Sequence, residues 1–102
     1  MRMQLIRRIP EPIAFEGRKF RAAIYAEEQW DGAYHAWIAY FGNGSKAALL
    51  ATDLQTVQPN RTALRWWADG LSAEQLVAGI KRAAFLESNP EERNDEPRSF
   101  AR

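Results

Sequence analysis

Cysteine is absent from this 102-residue chain, and disulfides, thiolate zinc sites, iron–sulfur clusters and cysteine nucleophiles go with it. That absence fits a reducing compartment, and a cytoplasmic location is expected. Histidine occurs once, at His35, which leaves nothing to complete the His and Cys ligand sets of zinc or haem. No stretch approaches the roughly 18 to 20 apolar residues of a membrane span. Near the start, Arg7 and Arg8 interrupt any apolar core of an export signal. There is also no large excess of one charge, the net being +1. Residues 1–25 carry +4, residues 26–60 −3, residues 61–85 +2 and residues 86–102 −2. Such alternation describes a mixed solvated surface more than a nucleic-acid footprint. No cofactor, metal or membrane partner is expected.

What is present suffices for one domain. The 46% hydrophobic content is that of a soluble globular chain, and at this length one modest core can form. Residues 4–9 read as a short edge strand stopped by Pro10 and Pro12, neither of which can donate to a sheet ladder. Ile13 to Phe15 can pair across Glu16-Gly17-Arg18. From Phe20 to Glu27 the chain alternates, with Phe20, Ala22, Ile24 and Ala26 on one face and Arg21, Ala23, Tyr25 and Glu27 on the other. After a turn at Gln29-Trp30-Asp31-Gly32, Tyr34 to Phe41 is apolar on both faces, as a central strand requires. Gly42-Asn43-Gly44-Ser45 reads as a hairpin with the positive φ values of a type I′ turn. A third strand over 46–57 places Leu50, Thr52, Leu54 and Thr56 together.

Pro59 ends the sheet. Asn60 or Thr62 can cap a short helix over 62–69, with Gly70 as a left-handed stop. The segment 71–87 is the best specified. Ser72 and Gln75 form a capping box, Leu71 and Leu76 a hydrophobic staple, and Leu76, Val77, Ile80, Ala83 and Ala84 one apolar stripe with Glu74, Lys81 and Arg82 outward. The expected fold is α+β: an antiparallel meander of three to five strands, with one short and one longer C-terminal helix on one face. Residues 1–87 form the single domain. Residues 88–102, polar up to Phe100, read as a disordered tail.

The hairpin from Phe20 to Ala39, turning at Asp31-Gly32, resembles the opening hairpin of the HicB-type antitoxin domain, over about a fifth of the chain. Phe41-Gly42-Asn43-Gly44 stands where that family carries a Pro-Asp-Leu-x-Gly-Cys-like segment. The resemblance therefore implies only how a toxin-binding role would be laid out.

Motifs with chemistry mostly have plainer explanations. Gly42 to Lys46 has the residue types of a phosphate loop in the wrong order, before a strand where that motif needs a helix. His35 has no serine and carboxylate assigned to it, and reads as a strand residue beside Trp37. Glu27, Glu28, Asp31 and Asp53 can meet at one sheet end as an acid/base pair or a hard-cation site, but exposed turn charges are commoner. The aromatics stand out more. Trp66 and Trp67 lie about 100° apart on a helix, so both reach the core only if the helix is nearly buried. Trp30 occupies a turn. These residues suggest a small non-catalytic interaction module, binding a protein partner or a second copy through Trp30, Trp37, Arg65, Trp66 and Trp67. The alternative is nucleic-acid binding by Arg7, Arg8, Arg18, Lys19 and Arg21 with neighbouring aromatics.

Overall fold

A computed structural model describes residues 2–45 and 47–94. Alternation in the N-terminal half gives β1 (Met3–Arg8), β2 (Ile13–Phe15), β3 (Arg18–Glu28) and β4 (Tyr34–Gly42). Then come β5 (Ala48–Ala51), β6 (Thr56–Gln58), α1 (Arg61–Asp69) and α2 (Ala73–Ser88). All pairings are antiparallel. β3 and β4 are the long central pair; β1 and β2 share the free side of β3, and β5 and β6 share that of β4. The sheet is thus four columns wide with six strands. The expected architecture is present, with both helices on one face of an antiparallel sheet.

The strand expected over 46–57 is broken because Thr52 replaces part of the ladder with its own hydroxyl. Ile38 N–H donates to Thr52 Oγ1 at 3.0 Å while Thr52 N–H donates to Ile38 O at 2.9 Å. The chain bulges through Asp53 and returns to β4 when Gln55 N–H donates to Ala36 O. The bulge buries Asp53, which an uninterrupted strand would have turned away from the Leu50–Thr52 face.

Turn chemistry also departs from expectation. Glu16 (φ 51°) and Gly17 (φ 76°) both take positive φ between Phe15 and Arg18, as a type I′ turn demands. At 42–45 only Gly44 does (φ 80°), and Ser45 N–H closes on Gly42 O. A positive φ confined to the third residue belongs to a type II turn, not the type I′ expected there.

The main core lies between the sheet and the helices. Phe20, Ala22, Ile24 and Ala26 of β3 and Ala36, Ile38 and Tyr40 of β4 pack with Leu64, Ala68, Leu76, Ile80 and Ala83. Ser72 accepts from Gln75 N–H at 3.1 Å and Gln75 Oε1 accepts from Ser72 N–H at 2.8 Å, completing the capping box. Asn60 caps α1 through Ala63 N–H. Gly70 is not left-handed (φ −89°): its N–H bonds back to Trp66 O and Trp67 O, and the chain runs on through Leu71 to Ser72 without reversing.

Tyr40 explains why α2 sits so close to the sheet. Its hydroxyl donates to Leu76 O at 2.7 Å, passing beneath Gly79, where a Cβ would overlap the phenol oxygen. Burial pushes the phenol pKa well above its ordinary range, so it stays a donor.

Arg82, expected outward, turns in. Its Nε and Nη2 grip the two carboxylate oxygens of Asp53 at 3.3 and 2.8 Å. Asn94 N–H adds a third bond to Asp53, and Leu54 N–H donates to Asn94 O. Burial favours the neutral acid, but Arg82's hydrogen bonds and charge, with the Asn94 N–H, outweigh it and hold the Asp53 pKa below the usual value. Pro90–Glu92 is a turn of 3₁₀ helix, so the expected tail is fastened to the domain as far as Asn94. Its remaining residues, 95–102, lie outside those described.

Candidate functional site

The residues singled out as an aromatic surface do not converge. Trp37 is 1% exposed and lies on the sheet face away from the helices, 6.2 Å from the His35 ring between centroids. Trp67 is half-buried against the main core. Arg65 donates to Ile6 O at 2.9 Å, tying α1 to β1. Only Trp66 (77%) and Trp30 (89%) present most of their surface to solvent. The 100° step per residue explains Trp66. Leu64 and Ala68 define the inward side of α1, and Trp66 falls opposite them.

The cationic set divides by strand parity. Arg7 donates to Ala68 O at 2.7 Å and lies 4.0 Å from Asp69, so it closes the C-terminal end of α1. Arg18 lies over the Phe20 ring, 5.3 Å from its centroid. Lys19 and Arg21 alternate with Phe20 and belong to the helix-free face. Arg8 joins them, because the bulge between Leu5 and Arg7 brings it opposite Ala23.

The cross-strand register gives this second face its relief. One row runs Arg8–Ala23–Ala39–Ala51 and is floored by alanines. On one side of it stand Leu5, Tyr25 and Trp37; on the other, Arg21 opposite Phe41. The next row outward pairs Met3, Glu27, His35 and Val57. The row is nonetheless buried, with Ala23, Ala39, Ala51 and the neighbouring Trp37 all 9% exposed or less. At the end near the β4–β5 turn it opens into a concavity of about 710 Å³, lined by Arg8, Pro10, Arg21, Tyr25, Phe41 and Ser45 among others.

The carboxylates considered as a site are dispersed. Glu27 faces His35 across β3–β4, Asp31 accepts from Ala33 N–H within its turn, and Asp53 is engaged by Arg82. Among the described residues no three His, Cys, Asp or Glu side chains gather to hold a metal. No described helix is long and apolar enough to cross a membrane.

Comparison with family models, with curated proteins and with solved structures found no match. Tyr25 and Phe41, which wall the concavity, escape a reading of the sequence as site residues because both look like ordinary strand aromatics. The signal that groups them is parity: Lys19, Arg21, Ala23 and Tyr25 share a face from which Arg18 is excluded.

Proposed function

We propose that this chain is a small, non-catalytic interaction module of the cytoplasm that meets a protein partner, or a second copy of itself, through Trp66 and Trp30. The carrying observation is the outward Trp66, a ring 77% exposed on a helix whose Leu64 is buried and whose Trp67 is half-buried. Tryptophan surface left in water is unfavourable, and at interfaces this residue is enriched among those supplying most of the binding energy. Trp30 supports the reading, since neither the Gln29–Ala33 bonds nor the Asp31 side chain that organise its turn need an aromatic there. Arg65 and Trp67, placed in the same surface by the sequence, serve instead to seat α1. Trp37 belongs to the opposite face.

The test is association. Sedimentation over a wide concentration range, and photo-crosslinking from position 66 in cells, are expected to show a dimer or one discrete complex. Trp66→Ala is expected to weaken it by about 2 kcal/mol. A chain that stays monomeric, and whose crosslinks from position 66 are no more discrete than those from the exposed Lys81, refutes the reading.

A further inference from the structure

We infer that residues 95–102, beyond the last residue described, cover the helix-free face of the sheet. They cross it from Asn94 toward β1, and Phe100 enters the concavity between Arg8, Arg21, Tyr25 and Phe41. Three features combine. The first is burial without a described cover. Trp37 is 1%, Ala23 3% and Ala39 0% exposed, although α1 and α2 pack on the opposite face. Tryptophan is rarely hidden completely even in cores, and neighbours within a sheet do not screen its flat face from above. Tyr25 and Trp37, and Arg93 where the segment departs, are all engaged. The burial is complete within one chain, and it is narrow: Leu5 and Val57 at the margins remain 41% and 53% exposed. That is the footprint of a strip about one chain wide, not of a broad layer.

The second is where the chain leaves the domain. Asn94 is fixed at the break between β5 and β6, where Leu54 N–H donates to Asn94 O and Asn94 N–H donates to Asp53. The break lies beside Trp37, because Thr52 N–H bonds Ile38 O and Gln55 N–H bonds Ala36 O on either side of it. Residues 95–102 therefore start at the end of the row that holds Trp37, Tyr25 and Leu5. From that edge to β1 is three strand spacings, roughly 14 Å. Eight extended residues reach roughly 26 Å, and Phe100, sixth after Asn94, roughly 20 Å. Met1 and Lys46, also outside those described, are single positions and cannot span the face. The third is composition. Pro97 favours an extended backbone at itself and at Glu96, and Phe100 is the one large apolar side chain of the segment. A concavity of about 710 Å³ walled by the half-buried Tyr25 and Phe41 offers that ring an aromatic seat.

Nuclear Overhauser contacts in the unaltered protein test this. The Phe100 ring is expected to contact Tyr25, Phe41 and the Ala23 methyl group. In a mixture of isotope-labelled and unlabelled chains these contacts are expected to arise within one chain. Hydrogen exchange at the Trp37 indole is expected to be slow, and about 10- to 150-fold faster in Phe100→Ala, as the cover loses its apolar anchor. Lys81→Ala and Trp66→Ala are expected to leave that exchange unchanged, which separates this contact from the tryptophan surface. Phe100 contacts that are absent or confined to the helices, contacts found only between chains, or indole exchange indifferent to Phe100→Ala would overturn the proposal.

Discussion

The two faces of the sheet are made from the same two strands and are organised oppositely. On the helix side, large residues of β3 and β4 meet large residues of α1 and α2, and backbone polar groups are used in packing, as where Tyr40 donates to Leu76 O. On the other side the central row is alanine and no described helix covers it; Leu5 and Val57 at its margins are 41% and 53% exposed, while Ala23, Trp37 and Ala39 at its centre are 3% exposed or less. β3 and β4 are apolar on both faces and buried at the centre of both, but among the described residues only one face carries a helical lid. The difference teaches that strand hydrophobicity alone does not mark the core: partners do.

On this contrast, substitutions on the helix side should cost stability, and those at the exposed margin of the other side should cost little. Leu64→Ala is expected to be the most damaging, because Leu64 is fully buried at the contact of α1 with the sheet. A loss of about 2–5 kcal/mol in urea unfolding is expected. Gly79→Ala comes next, since the new methyl group must displace the Tyr40 phenol from its bond to Leu76 O; about 2 kcal/mol is expected. Tyr40→Phe in the same background should recover part of that loss, and no recovery would show that the overlap is not its cause.

Asp53 gives the comparison a pH axis. Its carboxyl is held below the usual value when folded, so the native state binds fewer protons there than the unfolded chain. The stabilisation is therefore complete above the unfolded pKa, near 4, and is lost as the pH falls through the lower folded pKa. Arg82→Met should flatten this acid limb and lower stability at neutral pH, read from chemical unfolding at a series of pH values. Ser72→Ala should cost about 1 kcal/mol through the lost cap. At the bottom of the scale stands Val57→Thr, 53% exposed at the margin of the helix-free face and expected to change stability by less than about 0.5 kcal/mol. A large loss there would break the contrast outright.

Legibility tracked the range of the interactions. The Ser72–Gln75 box, the Asn60 cap and the alternation of β3 are local, and local residue types suffice to place them. Arg82 shows where that ends: it is spaced like an outward helix residue, and only the distant Asp53 bulge turns it inward. Arg7 and Arg65 behave alike, reading as free cations while their carbonyl partners lie about 60 positions away in the chain. The candidate site was half legible for the same reason. Parity groups Lys19, Arg21 and Tyr25, but the placement of Arg8 depends on the β1 bulge, and the alanine row depends on the β3–β4 register. The turn at 42–45 took type II in place of type I′ because Asn-Gly is compatible with more than one geometry, and the flanking strands decide between them.

The arginine hooks on β1 have a consequence beyond seating a helix. β1 is the outermost strand of its column, and an outermost strand offers a row of unclaimed carbonyls to any passing chain. Arg65 occupies the Ile6 carbonyl, and Arg61 holds Gln4 Oε1 at 2.7 Å from the same side. A foreign strand seeking to extend the sheet there would have to evict two guanidinium groups and lift α1 away. The contacts that attach the helix thus also guard the sheet against growing, molecule upon molecule, into a fibre.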